Sequence, residues 1–225
     1  MEPSLLWAAL TAAGLGWLGL RLWSERLPDR PFDDLAGAGV VGLGAGRLAA
    51  MLTQGINPLT SPGDIIVIRG GVHTGVASVG FIATLWWSTR REGSALDAMA
   101  PATLLALAGW HAGCLWRGAC LGTPSDLPWA WALEGSAVTR HPVEVYAAIG
   151  LAVGAWLVSR LGWRLWLRAG SGLALAAAIR LVTESLRPSL TGGPVGWYLA
   201  GSALGLVAVV AGRWSGTARE SRSPT

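Results

Sequence analysis

Arg180 and Glu184 lie inside one apolar stretch of the chain, residues 173–188. Because they are four residues apart, both side chains face the same side of a helix, one turn from each other. Ionisable side chains at membrane depth are costly, and they usually face the protein interior or water and serve a function. A guanidinium can bind phosphate through two hydrogen bonds, so Arg180 is a candidate phosphate ligand. The alternative is a buried ion pair that only fixes the rotation of its helix.

Further polar side chains stand at the ends of neighbouring apolar stretches, where they could meet this pair. A single histidine at a helix end is often only a polar residue with its hydrogen bonds satisfied. Several such groups at the same end of several helices favour a functional site. The candidates are His73, His111, Arg140, His141, Tyr146 and Arg187.

Glycines accompany these polar residues. Residues 70–75 (GGVHTG) open the third apolar stretch, and residues 109–122 end the fourth. Glycine allows unusual backbone conformations, and a helix amino terminus beside it is a natural site for an anion. The alternatives are a tight turn that enters a helix and close helix packing. The candidate substrate-binding glycines are Gly71, Gly75, Gly113 and Gly122.

The composition places the chain in a membrane. Hydrophobic residues make up 52% of the chain and charged residues 13%, about half the share of a soluble domain. All 17 basic residues are arginine, and the net charge of +4 suits anionic lipid headgroups rather than nucleic acid. We therefore predict an all-α polytopic membrane protein with the lipid bilayer as its surroundings.

Seven apolar stretches approach the length needed to cross a bilayer. They predict a single bundle of about seven transmembrane helices over residues 1–214, followed by a polar cytoplasmic tail at 215–225. The predicted spans are residues 5–23, 35–53, 72–87, 98–120, 145–161, 170–186 and 195–212.

The distribution of arginines predicts the orientation of these spans. Most arginines lie in the first, third and fifth connections and in the carboxyl-terminal tail. Cytoplasmic loops carry an excess of arginine and lysine, so the amino terminus is expected outside and the carboxyl terminus in the cytoplasm. The longest connection, residues 123–141, then lies outside and is expected to form an amphipathic flap on the membrane surface.

This orientation predicts a cationic cavity that opens toward the outer leaflet. Arg180 lies about 10 Å deeper than Arg187, at 1.5 Å of rise per helical residue. That depth suits the phosphate or glycerol of a lipid, so the cavity should bind an anionic phospholipid.

The two cysteines carry no recognisable chemistry. Cys114 and Cys120 have neither the spacing of a CxxC redox pair nor that of a zinc site, so we interpret them as small packing residues and expect no metal. We also expect no cleavable signal peptide, because no basic residue precedes the first apolar run.

Several motifs, in this order, resemble those of bacterial prolipoprotein diacylglyceryl transferases. The first is the stretch at 44–52 around Arg47, followed by Asn57-Pro58 and the glycine turn that carries His73. A glycine-rich segment at 109–122 comes next. The HPxExY motif at 141–146 and an RxxxE pair at 180–184 complete the pattern, which runs from about residue 35 to about residue 212.

The resemblance implies a seven-helix enzyme of the bacterial cytoplasmic membrane that needs no cofactor. Members of this family transfer the diacylglyceryl group of phosphatidylglycerol to the lipobox cysteine of a prolipoprotein signal peptide, and glycerol phosphate leaves. By resemblance, Arg180 and Glu184 match the functional arginine and glutamate of the family, and His73 matches the position of its glycine turn that carries histidine or tyrosine. His141 and Tyr146 match its His-Pro motif and the aromatic that follows.

The chain departs from the family's glycine-rich signature. His111 stands where the family has an arginine, Cys114 where asparagine or cysteine is found, and Ala119 where some members have glutamate. Histidine replaces a fixed bidentate cation only in part. An alternative is therefore a catalytically inactive relative that binds anionic phospholipid.

These residues suggest a mechanism of thioether formation. A neutral His73 or His111 would take the proton of the thiol, which then attacks the glycerol C3 carbon. Arg180, with Arg140 or Arg187, would neutralise the departing phosphate, and Glu184 would hold Arg180 in place.

Two other functional classes fit less well. An intramembrane serine protease would need glycine where Val79 follows Ser78. A small transporter would be expected to show an inverted repeat, and the sequence shows none.

Overall fold

The computed structural model describes residues 3–66, 71–116, 121–133, 135–188 and 193–220. In these ranges the regular secondary structure is almost entirely helical. A single 3₁₀ turn at Gly113–Trp116 and one small hairpin are the exceptions. The helices are α1 (Pro3–Leu22), α2 (Pro31–Thr53), α3 (Gly63–Ile66), α4 (Thr74–Ser88), α5 (Gly93–Ala112), α6 (Val143–Ser159), α7 (Leu167–Glu184) and α8 (Val195–Glu220).

The all-α prediction is confirmed, and over the described residues each of the seven predicted spans corresponds to one helix of 15 residues or more. Within the described ranges, three helices are long and apolar enough to cross a membrane by length and composition: Pro31–Thr53, Gly93–Leu115 and Val195–Trp214. Two shorter apolar helices cover Leu6–Leu22 and Val143–Ser159. This pattern is consistent with a multi-pass membrane protein.

Helix α5 is central to the packing. It contacts α1, α6 and α7, while α8 packs on α7 and α4 packs on α2. The buried side chains are mostly alanines with a few large residues, among them Met99 and Leu151. Small residues let helices approach closely when lipid surrounds them. The outer face of α8 carries exposed leucines and valines, as expected of a surface that faces lipid.

The loop between α5 and α6 forms a small hairpin. Strand β1 (Trp131–Ala132) pairs antiparallel with β2 (Thr139–Arg140), with Trp131 opposite Arg140. Apolar side chains project from this loop into the surroundings. They are Leu127, Trp129, Trp131, Leu133 and Val138. Such exposure suits the amphipathic flap that the sequence predicts.

Two buried charges join α5, α6 and α7 at the end of the bundle where α7 begins, hereafter the Asp97 end. The Asp97 carboxylate accepts hydrogen bonds from the backbone N–H groups of Trp166 (2.7 Å) and Ala169 (2.8 Å), and so caps α7. Arg168 donates to the carbonyls of Ser159 (3.1 Å), the last residue of α6, and of Leu161 (2.9 and 2.7 Å), just past its end. These bonds fix the rotation of α7, which carries Arg180.

The same end carries a series of arginine–tryptophan pairs. In each pair the guanidinium lies over an indole ring, with the guanidinium carbon 3.7–5.2 Å from the ring centroid. Indole rings and arginines of this kind concentrate at membrane interfaces. The pairs are Arg21–Trp17, Arg26–Trp163, Arg91–Trp87, Arg160–Trp156 and Arg168–Trp163.

Candidate active site

Helix ends meet at the opposite end of the bundle, hereafter the Glu184 end, and bring together a cluster of polar side chains. Helices α5 and α7 finish here, whereas α6 and α8 begin here. Each helix supplies at least one member because its first or last turns carry a polar residue in an otherwise apolar segment. The cluster comprises His111, Glu144, Arg180, Glu184, Arg187 and Tyr198.

Glu144 is the centre of this cluster. Its Oε2 atom lies 2.5 Å from Nδ1 of His111 and 3.7 Å from Nη1 of Arg180. Its Oε1 atom forms an ion pair with Arg187. The side chain is 16% exposed, so these partners replace most of the water that a carboxylate would otherwise bind.

Arg180 lies between the two glutamates. Its Nη2 atom is 3.6 Å from Oε2 of Glu184 and donates a hydrogen bond of 3.4 Å to the hydroxyl of Tyr198. The side chain is only 11% exposed, yet Nη1 has no hydrogen-bond partner among the described residues. Nε of Arg187 and Oε2 of Glu184 also lack one, at a separation of 3.8 Å. The arginines are therefore paired in charge but retain N–H groups for a ligand's oxygens.

The prediction of a cationic cavity is wrong for the described part of this cluster. Arg180 and Arg187 face two carboxylates, Glu144 and Glu184, so the four charges cancel. Burial lowers the pKa of Arg187, and its neighbour Tyr198 opposes that shift. A guanidinium nevertheless stays protonated at physiological pH. The charge of the cluster thus depends on whether His111 is neutral or protonated.

His73 is separate from the cluster and forms the cap of α4. Its Nδ1 atom accepts a hydrogen bond of 3.3 Å from the backbone N–H of Val76, and its ring lies edge-on to Trp197. Arg47, only 2% exposed, donates to the carbonyls of Asp64 (2.9 Å) and Gly71 (3.1 Å), and so supports the segment before His73. The structure therefore gives His73 a capping contact rather than a contact with Arg180.

Arg140, His141 and Tyr146 form a second polar group under the hairpin. Nη1 of Arg140 donates to the carbonyl of Gly122 (3.1 Å), and Nδ1 of His141 is 3.5 Å from the Tyr146 hydroxyl. That hydroxyl also accepts a hydrogen bond from the indole of Trp129 (2.9 Å). These contacts attach the loop to α6, and none of them joins the group to the charged cluster.

The predicted substrate-binding glycines mostly contact other protein atoms. A β-carbon at Gly75 would meet the Trp197 ring, and one at Gly113 would meet Ala8. At Gly122 it would meet the carbonyl of Leu186 and the side chain of Val143. Gly71 is different, because its φ of +82° is a conformation that L side chains rarely adopt. Close packing thus accounts for Gly75, Gly113 and Gly122.

We predict that Gly122→Ala destabilises the protein, because the added methyl group must displace a backbone carbonyl. Overpacking of this kind costs about 1–3 kcal/mol. The matched control is Gly14→Ala on α1, where a β-carbon would meet nothing within 4 Å. Thermal unfolding of both variants in the same lipid nanodiscs checks the prediction, which a normal unfolding temperature for Gly122→Ala would contradict.

The packing interpretation of the cysteines is wrong for Cys114. This residue lies in the 3₁₀ turn after α5 and is disulfide-bonded. Other residues of the glycine-rich segment and of the glycine turn lie outside the described residues. They are Gly70, Arg117, Gly118, Ala119 and Cys120.

Sequence reasoning missed Glu144 and Tyr198 as members of the site. Glu144 belongs to the HPxExY motif, and a detectable signal was available: an acidic residue in the first turn of an apolar helix at the depth of His111. Tyr198 gave no such signal, because tyrosine is common where a helix enters a membrane interface.

Comparisons with known proteins place the chain beside one family of enzymes. The family model described as prolipoprotein diacylglyceryl transferase matches residues 5–215. Two relatives, both called phosphatidylglycerol–prolipoprotein diacylglyceryl transferase, come from Polynucleobacter necessarius (32% identity, 61% of this chain and 53% of the relative) and Polynucleobacter asymbioticus (33%, 58% and 54%). A relative of the same name from Chlamydia trachomatis is 38% identical over 26% of this chain and 22% of its own length.

The chain spans about half the length of the two Polynucleobacter relatives. The family model, in contrast, covers nearly all of the chain, including α2 to α7, most of α1 and α8, and the cluster around Glu144. The chain therefore belongs to the prolipoprotein diacylglyceryl transferase family.

Proposed function

We propose that this protein transfers the diacylglyceryl group of phosphatidylglycerol to the lipobox cysteine of prolipoprotein signal peptides. The observation that carries the proposal is the meeting of His111 and Arg180 on one carboxylate, Glu144, at one end of an apolar helical bundle. A proton acceptor and a phosphate ligand are the two groups that this reaction requires. Membership of the family supports the same assignment.

We propose that seven helices cross the bacterial inner membrane, with the amino terminus outside and the carboxyl terminus in the cytoplasm. The arginine–tryptophan pairs at the Asp97 end support a cytoplasmic location for that end. The disulfide of Cys114 supports an outer location for the Glu184 end, since disulfides persist in oxidising compartments. The cluster would then open toward the periplasmic leaflet.

The reaction forms one carbon–sulfur bond and breaks one carbon–oxygen bond. The thiol gives its proton to an imidazole, and the thiolate sulfur attacks the C3 carbon of the diacylglyceryl group. The bond from that carbon to the phosphate oxygen breaks, and its electron pair leaves with glycerol phosphate. The product is a thioether, and the imidazolium later returns its proton to solvent.

Arg180 and Arg187 are the proposed ligands of the phosphate. Nη1 of Arg180 and Nε of Arg187 have no hydrogen-bond partner among the described residues, so these two groups can donate to phosphate oxygens. The departing phosphate carries one more negative charge than the phosphodiester from which it came. The arginines therefore stabilise the transition state more than the bound lipid, as catalysis requires. Glu184 holds Arg180 in position.

Rescue of lipoprotein modification tests this proposal. The gene is expressed in a strain depleted of its native transferase, and the lipid modification of a reporter lipoprotein is measured by its shift on a gel. We expect restored modification. A chain that reaches the membrane in normal amounts yet leaves the reporter unmodified contradicts the proposal. The alternative of an inactive relative receives no support from the family model or the relatives' names.

A further inference from the structure

We infer that Glu144 is a positioning residue that makes His111, rather than His73, the general base. This inference rests on the proposed function and extends it, because the sequence left the choice between the two histidines open. The carboxylate fixes the tautomer of the His111 ring and directs the unprotonated nitrogen away from Glu144.

The contacts of Glu144 determine where the proton of His111 lies. The ion pair with Arg187 and the approach of Arg180 keep the carboxylate ionised, and an ionised carboxylate can only accept hydrogen bonds. Nδ1 of His111, 2.5 Å away, must therefore carry the hydrogen. In the neutral ring the lone pair then resides on Nε2, since the hydrogen bond of this ring to Glu144 uses Nδ1. That nitrogen is available to a substrate thiol.

Several charged and polar side chains surround His111, and Glu144 is the one that forms a hydrogen bond with its ring in the described part of the structure. Helix α7 presents Arg180 and Glu184, the turn after it presents Arg187, and α8 presents Tyr198. Helix α1 also packs on α5, but its one ionisable side chain in the described residues lies near the Asp97 end. Both arginines contact the same carboxylate as His111. Glu144 therefore positions the base and the phosphate ligands together.

His73 has the opposite arrangement of hydrogen bonds. The backbone N–H of Val76 can only donate, so Nδ1 of His73 must accept. The hydrogen of the neutral ring is then on Nε2, and that face of the ring is a donor. Taking a proton on Nδ1 would break the cap of α4. His73 is therefore suited to hold a helix end or to donate to a substrate oxygen, and unsuited to deprotonate a thiol.

Glu144→Gln should reverse the tautomer of His111. A glutamine has one oxygen where glutamate has two, and Arg187 can only donate. Arg187 therefore donates its hydrogen bond to that oxygen, and the glutamine NH₂ group faces Nδ1 of His111. A donor in that place requires Nδ1 to accept, which moves the hydrogen to Nε2 and removes the base. Loss of a tautomer-fixing carboxylate lowers the turnover of serine-protease triads by about 10⁴-fold through the same change.

The test begins with ¹⁵N NMR of the histidine-labelled full chain in phosphatidylcholine nanodiscs. The three histidine signals are assigned by replacing each histidine in turn. We expect Nδ1–H at His111 and Nε2–H at His73. In Glu144→Gln we expect Nε2–H at His111, whereas the matched control Glu184→Gln, which removes a carboxylate that does not contact His111, should leave the His111 tautomer unchanged.

Transfer kinetics with phosphatidylglycerol and a lipobox peptide complete the test. We expect kcat to fall about 10²-fold for both Glu144→Gln and His111→Gln. For His73→Asn, which keeps a capping side chain, the fold decrease in kcat should be at most a tenth as large. An Nε2–H tautomer at His111 in the native chain overturns the inference even if transfer is normal, and so does a Glu144→Gln variant within tenfold of native turnover. A native chain without transfer activity overturns the proposed function, and the base role with it.

Discussion

Replacing Arg180 with glutamine is expected to lower the rate of diacylglyceryl transfer by about 10³-fold, close to complete loss in a rescue assay. Arg180 contacts both carboxylates of the cluster and donates a hydrogen bond to the hydroxyl of Tyr198. Its Nη1 group is buried without a hydrogen-bond partner in the described residues, which is costly unless a ligand supplies an acceptor. Glutamine fills a similar volume but cannot stabilise the charge of the departing phosphate.

A charge-balanced double variant separates catalysis from folding. Arg180→Gln alone leaves two carboxylates with one guanidinium, so part of the loss could come from an uncompensated buried charge. Arg180→Gln combined with Glu184→Gln leaves Arg187 paired with Glu144, and we expect its unfolding temperature to approach that of the native chain. Its activity should remain lost. Activity within tenfold of native in either variant would show that Arg180 only forms a structural ion pair.

The sequence predicts the helices well because bilayer-length apolar runs have few alternatives to helix. It misplaces the start of α5, which begins at Gly93 rather than near residue 98. The reason is Asp97, which suggests a solvated loop but turns inward to cap α7. Helix α8 extends to Glu220 and so includes residues 215–220 of the predicted polar tail. Polarity alone does not end a helix, and alanine, arginine and glutamate are good helix formers.

The candidate site is only partly predictable. Arg180, Glu184, His111 and Arg187 come together as expected, because their helix positions and membrane depth determine where they lie. The charge balance does not follow from these positions, since it depends on Glu144 reaching across from α6. The sequence could not decide between His73 and His111 as the base, because both are histidines at similar predicted depth. The structure distinguishes them, because Nδ1 of His73 accepts a hydrogen bond from the backbone N–H of Val76.

The largest effect on stability is expected from Arg168→Ala, at the other end of α7. Arg168 is 7% exposed, and its guanidinium makes three hydrogen bonds to the carbonyls of Ser159 and Leu161 while it stacks on Trp163. Charged hydrogen bonds contribute about 1.5–3 kcal/mol each, and carbonyls left unpaired in a buried site add a penalty. Allowing for partial replacement by water, we expect a loss of about 3–5 kcal/mol in the free energy of unfolding.

The matched control for this prediction is Arg164→Ala, four residues earlier in the connection between α6 and α7, where the side chain is exposed. We expect that variant to stay within about 0.5 kcal/mol of the native chain. Arg168→Lys should fall between the two, because an ammonium keeps the charge but cannot reach both carbonyls in the plane of a guanidinium fork. Denaturation in mixed micelles, followed by tryptophan fluorescence, measures all three. Equal stability of Arg168→Ala and Arg164→Ala would mean that α6 and α7 are joined by apolar packing alone, and that the rotation of α7 around Arg180 does not depend on Arg168.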